Sequence, residues 1–134
     1  RLYPVVSLKA RISHVKRVEP GTCIGYGTTY TVSLPTQIAT IPIGYADGYP
    51  RCLSNKASVL IKGKRYPIAG RICMDQSMID LKGEQDIQPG EVVTLIGTDG
   101  TEAITLDEIA ELAGTITHEI LTGIGSRVPR IYIE

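Results

Sequence analysis

Short apolar, β-branched runs separated by Gly, Pro, Asn and Asp at intervals near those of barrels and sandwiches fill most of this 134-residue chain, the pattern of strands and not of helices. Residues 5–18 read as one long strand or a bent pair, with Leu8, Ala10, Ile12 and Val15 on the inward side. Glu19-Pro20-Gly21 then turns the chain, and 36–43 and 57–61 are further strands. Lys62-Gly63-Lys64 makes a hairpin turn into 65–69. Two more strands follow at 72–81 and 91–96, the second introduced by the turn Gln88-Pro89-Gly90-Glu91. Only near the end does the period change. Thr105-Leu106-Asp107-Glu108 is a capping box in which Thr105 caps and Glu108 reaches back. Leu106, Ile109, Ala110 and Ala113 then form one helical stripe that Gly114 ends. A second short helix fits 117–121, and 127–133 reads as a closing strand.

These elements describe a mainly β chain, a small β-barrel-like domain with one or two short helices near the C-terminus. The length suits one domain over residues 1–134, and 43% hydrophobic residues suffice for one core. Fourteen basic and fourteen acidic side chains cancel, so no broad field favours nucleic acid or an anionic membrane. Cys23, Cys52 and Cys73 form an odd set without a CxxC pair, which argues against disulfides and a metal site and for a reducing, cytoplasmic compartment. Seven Tyr stand against no Phe and no Trp, so all aromatic volume carries a hydroxyl.

Three stretches interrupt the strand pattern with potential chemistry. In Gly25-Tyr26-Gly27 and Gly44-Tyr45-Ala46-Asp47-Gly48, glycines beside a tyrosine allow turns that project the phenol or admit another chain segment. A half-buried tyrosine at a barrel rim is the plainer alternative. In Gly70-Arg71-Ile72-Cys73-Met74-Asp75-Gln76, a cation, a thiol, a thioether, a carboxylate and an amide sit together between apolar strands, more polarity than a core strand requires. Simple packing of Cys73 and Met74, and a structural Arg71–Asp75 ion pair, are the alternatives there.

Together with Ser7-Leu8-Lys9-Ala10-Arg11-Ile12 and Arg127-Val128-Pro129-Arg130, these stretches, in this order and rough spacing over 5–133, resemble the C-terminal domain of the alanine racemase family. The resemblance implies a pyridoxal-phosphate enzyme that interconverts L- and D-alanine for peptidoglycan precursors. Its N-terminal (β/α)8 barrel holds the cofactor on a lysine. It also implies a head-to-tail homodimer, in which the C-terminal domain meets the partner subunit's barrel as well as its own.

Carried over residue by residue, Tyr26 is the catalytic acid/base opposing the cofactor lysine, and Tyr45 narrows the substrate channel. The Met74 backbone N–H meets the substrate carboxylate, and Arg71 and Asp75 hold its loop in place. A tyrosine with its ordinary pKa of about 10 is protonated at neutral pH, so Tyr26 needs neighbours that stabilise the phenolate or take its proton. The family places those neighbours on the barrel, so the chain by itself is expected to be inactive. Ser126 stands where many relatives carry a tyrosine on the cofactor phosphate. That departure puts the phosphate contact in doubt and leaves room for serine as a substrate beside alanine.

The rival reading is a non-catalytic β-barrel module that binds a partner or small ligand. The chain opens on Arg1, not methionine, and so reads as part of a longer protein, whose missing part is the barrel with or without a membrane segment. Faces that should meet a barrel are expected to leave apolar surface near Tyr26 and Tyr45 and to favour self-association.

Overall fold

The long alternating run at the start of the chain breaks at Ile12-Ser13, and its two halves enter different sheets. In the structure, a computed structural model that describes residues 3–134, the strands are β1 (Leu8–Arg11), β2 (His14–Val18), β3 (Cys23–Ile24), β4 (Tyr30–Thr31), β5 (Thr36–Ile41), β6 (Ser58–Ile61), β7 (Lys64–Pro67), β8 (Ser77–Asp80), β9 (Val92–Asp99) and β10 (Glu102–Ile104). Two helices follow, α1 (Leu106–Ala113) and α2 (Thr117–Gly123).

The strands form a five-stranded sheet of order β1-β9-β6-β7 with β10 on β9, a three-stranded sheet β2-β5-β8 and the short hairpin β3-β4, and every pairing is antiparallel. Two seams join the larger sheets. One is a single bridge, Ile68 to Ile79, beyond the end of β7. The other is the chain itself, passing from β1 through Ile12 and Ser13 into β2. The strand path therefore returns to the segment it left, which gives the domain its barrel-like form.

Strands covered on both faces read as unbroken apolar runs, and this accounts for Val59-Leu60-Ile61 and Val93-Thr94-Leu95-Ile96, all of them buried. Ile41, Ile79 and Leu81 from the other sheet join the same core, as do Ile109 and Ala110 of α1. Helix α1 starts as its sequence predicts, with the Glu108 N–H donating to Thr105 Oγ1 at 3.0 Å, and it stops at Gly114 with φ 73°. The return bond of the capping box is replaced. The Glu108 carboxylate instead takes both terminal nitrogens of Arg65, at 2.8 and 2.7 Å, a bidentate, charge-assisted pair stronger than a neutral cap bond.

Several boundaries differ from the sequence pattern. Residues 72–76 form a loop and only Ser77–Asp80 is strand. The hairpin β9-β10, turning through Gly100-Thr101, extends past 96. Residues 127–133 are not a strand. The Arg130 guanidinium donates to the carbonyls of Ile124, Gly125 and Val128 at 2.9, 2.6 and 2.7 Å, so the chain curls onto itself and Ile131, Tyr132 and Ile133 are left in solvent.

One carboxylate is buried among these elements. Asp80, at the end of β8, accepts from Tyr30 Oη at 2.6 Å, from Thr36 Oγ1 at 2.7 Å and from the Lys82 N–H at 2.8 Å. Burial by itself would raise its pKa. The bonds from Tyr30, the Lys82 amide and Thr36, with the Lys82 charge, outweigh burial and hold it below the usual carboxylate value. Its contribution to stability is therefore full above the unfolded-chain pKa of about 3.9 and is lost as pH falls through the lower folded value. Asp80→Asn is expected to cost about 1–3 kcal/mol near neutral pH and to flatten the acid limb of the Tm-against-pH curve. Thermal melts of both proteins from about pH 2 to 7, across and below that pKa, check this.

Candidate active site

Three loops meet at one end of the domain because glycines let their backbones touch. In the first, the tip of the β3-β4 hairpin, Gly25 and Gly27 flank Tyr26 with φ of 77° and 73°, conformations open mainly to glycine. Thr28 shares the positive φ, at 50°, unusual for a β-branched residue. The second loop starts at Gly70 (φ 78°), where a Cβ would lie 2.4 Å from the Ile24 carbonyl oxygen. A Cβ on Gly25 would in turn lie 3.0 Å from the Arg71 nitrogen. Asn55 fastens the two loops, donating from Nδ2 to Thr29 Oγ1 at 3.0 Å and accepting from the Gly70 N–H at 2.7 Å.

The third loop is the single turn of 3-10 helix at Tyr45–Asp47. Tyr45 and Ala46 donate their N–H groups to the carbonyls of Cys73 and Met74 at 3.0 and 2.9 Å. A Cβ on Gly44 would lie 2.1 Å from the Cys73 oxygen, so no other residue fits there without moving the loops apart. Buried Asp47 accepts from the Gly44 N–H at 3.1 Å. Arg127 closes the arrangement by donating from Nε to Asp47 Oδ1 at 3.1 Å and from Nη2 to Asp75 Oδ1 at 2.8 Å, an ion pair with both carboxylates. Asp75 and then Asp47 push the Arg127 pKa upward, so this bridging charge is permanent.

The result is an open depression of about 580 Å³ whose lining includes Tyr26, Tyr45, Arg51, Arg71, Met74 and Asp75. Tyr26 is 73% exposed, Met74 55% and Tyr45 43%. Among the described residues nothing accepts from the backbone N–H groups of Met74, Asp75 and Gln76. The Arg51 and Arg71 side chains likewise have no hydrogen bond or ion pair there. Arg71 lies across the hairpin tip, its guanidinium carbon 3.2 Å from where a Gly27 Cβ would stand. Consecutive free amides beside two unpaired cations form a surface suited to an anion, and an exposed phenol stands at its edge.

Residues 5–132 match the family model described as alanine racemase, C-terminal domain. The chain belongs to that family. It is 53% identical over 98% of its length to an alanine racemase of Halothermothrix orenii and 52% identical over 98% to one of Carboxydothermus hydrogenoformans. It superposes with a TM-score of 0.94, at 48% identity and over 100% of the chain, on the crystal structure of alanine racemase from Bacillus anthracis with bound L-Ala-P. These matches take in 34–36% of each relative, so the alanine racemase C-terminal domain spans about a third of the proteins it resembles.

Within this family domain, five of the residues singled out in the sequence, Tyr26, Tyr45, Arg71, Met74 and Asp75, line one depression. Ser126 does not line it. Ser126 is exposed and follows Gly125, whose N–H donates to the Asp47 carbonyl at 2.9 Å, so it stands beside the Tyr45–Asp47 turn. Arg71 and Asp75 do not pair with each other, because Arg127 takes the Asp75 carboxylate. The sequence reading passed over Asp47, Asn55 and Arg127 as individuals. Apart from the Gly44 N–H on Asp47, their partners are 15 to 80 residues away, beyond any local pattern.

Gly44→Ala tests the closest contact. The added methyl has no room beside the Cys73 carbonyl, and a cost of about 1–3 kcal/mol is expected, read as a lower denaturation midpoint with unchanged slope. Gly123→Ala, where the backbone is not in the left-handed region and a Cβ meets nothing within 4 Å, is the control for steric effects.

Proposed function

We propose that this chain supplies the phenol acid/base and the carboxylate-binding wall of an amino-acid racemase, acting on L- and D-alanine in the supply of peptidoglycan precursors. The other half of the site is the N-terminal (β/α)8 barrel of a partner subunit in a homodimer. The observation that carries this reading is the exposed Tyr26 phenol, held on a two-glycine tip beside three free backbone amides and two unpaired guanidinium groups.

Pyridoxal phosphate, when bound, supplies the electron sink that makes the substrate α-proton acidic. The depression has no lysine among its lining residues, which fits a cofactor anchored on the other half. What this chain contributes is positioning and one proton site. The Met74 N–H, with its two neighbours, binds the substrate carboxylate, a task that depends on backbone position and not on the thioether. Asp75, through Arg127, keeps that backbone in place, and Arg71 lies across the Gly27 tip with its guanidinium unpaired. Tyr45 narrows the approach and selects for small side chains. Tyr26 Oη takes the α-proton of the L-isomer on one face and returns it in the opposite direction. Three free thiols fit a reducing, cytoplasmic compartment, and no helix among the described residues is long and apolar enough to cross a membrane.

In the full-length protein, Tyr26→Phe should leave the cofactor spectrum intact and lower racemisation by about 10²- to 10⁴-fold. Exchange of the D-isomer α-hydrogen with deuterated solvent should persist and that of the L-isomer should vanish. Unimpaired racemisation by this variant would overturn the reading.

Ser126, small and exposed where many relatives place a tyrosine, leaves space for a hydroxymethyl side chain, and we propose that serine is accepted beside alanine. Ser126→Tyr should then lower the serine-to-alanine ratio of kcat/KM, and an unchanged ratio would refute the proposal.

A further inference from the structure

The hairpin that presents Tyr26 is too small to hold itself. Strands β3 and β4 are two residues each, pairing only Cys23 with Thr31 and Ile24 with Tyr30, and an isolated two-stranded hairpin is marginal even when longer. Its tip also carries three positive-φ residues, Gly25, Gly27 and Thr28, of which Thr28 stores strain. Something outside the hairpin must fix the direction of the phenol.

Two side chains just past the tip do so. Thr29 is bonded to Asn55, an exposed residue. Tyr30 makes the deeper attachment. It donates to buried Asp80 at 2.6 Å and accepts from Lys82 Nζ at 3.2 Å. Asp80 is in turn gripped by Thr36 Oγ1, which accepts the Gly83 N–H at 2.9 Å, so the chain of bonds ends in β5 and β8, the rigid sheet. Burial, then the bond to Asp80, push the Tyr30 pKa upward, which keeps Tyr30 the donor at neutral pH.

We infer that Tyr30 and Asp80 are positioning residues for Tyr26: their bond ties the hairpin to the three-stranded sheet and sets where the acid/base phenol stands, without touching substrate. This rests on the racemase reading above. A hinge released four residues from the reacting group displaces it by fractions of an ångström or more, and a 1 Å misplacement costs on the order of 100-fold in rate. The consequence is asymmetric, because only the proton site carried by this hairpin moves.

The test uses the full-length enzyme with bound cofactor and the variants Tyr30→Phe, Asp80→Asn and Tyr26→Phe. Tyr30→Phe removes one oxygen and keeps the ring, and Asp80→Asn keeps the Thr36 and Lys82 amide bonds, so at least one variant should fold. For Tyr30→Phe we expect roughly ten- to a hundred-fold slower exchange of the L-isomer α-hydrogen with deuterated solvent, near-normal exchange of the D-isomer and little change in KM. Hydrogen-exchange mass spectrometry should show faster amide exchange confined to the peptide covering residues 21–33. Equal slowing of both exchanges, or a general loss of protection, would mean a merely structural role and overturn the inference. Normal L-isomer exchange in both Tyr30→Phe and Asp80→Asn would also overturn it. If Tyr26→Phe itself spares L-isomer exchange, it is the racemase reading that fails.

Discussion

The contact between Gly44 and the Cys73-Met74 backbone is the constraint on which the site depends. Two N–H groups of the Tyr45 turn are spent on the Cys73 and Met74 carbonyls, and a Cβ on Gly44 would lie 2.1 Å from one of those oxygens. This closeness puts Tyr45 beside Met74. It also turns the Cys73 and Met74 carbonyls toward the Tyr45 turn, while the amides of 74–76 have no acceptor among the described residues. Gly25 and Gly70 do the same for the other wall, where the hairpin tip rests on the start of that loop.

Charge is distributed to support this backbone geometry. Arg127 neutralises Asp47 and Asp75 together, so the loop bearing the free amides and the turn bearing Tyr45 are tied by one cation. The carboxylate nearest the free amides is thereby matched, and Arg51 and Arg71 give the depression a net positive character. At the far end of the hairpin, Asp80 plays the complementary part. It is buried and matched by donors from three segments, and it converts the stiffness of the sheet into a fixed place for a solvent-exposed loop.

The surface formed by the three loops is open to solvent. Tyr26, Tyr45 and Met74 are all exposed large side chains on it, and the chain covers about a third of its relatives. A phenol that lies in solvent works as an acid/base only when a second surface closes over it and supplies the field that its own domain lacks.

The repeating physics of strands made much of the fold legible in the sequence. Alternation over 5–18 located β1 and β2, apolar runs between turn residues located β5, β6 and β7, and the Thr105 cap with the stripe to Ala113 located α1. Ordered motifs marked Tyr26, Tyr45, Arg71, Met74 and Asp75. What the sequence could not contain were interactions between segments far apart in the chain. Residues 72–76 read as the start of a strand but become a loop, because the Cys73 and Met74 carbonyls are taken by the Tyr45 turn. Residues 127–133 read like a closing strand, but Arg130 is hooked onto carbonyls of the preceding turn and the segment pairs with no strand. Glu108 has the spacing of a capping box but meets Arg65. Local patterns specify which residues favour strand, turn or helix. Which partner each polar group finds, and hence whether Arg127 bridges two loops or Asp80 anchors a hairpin, is decided only when distant segments pack and every buried donor and acceptor competes for its neighbours.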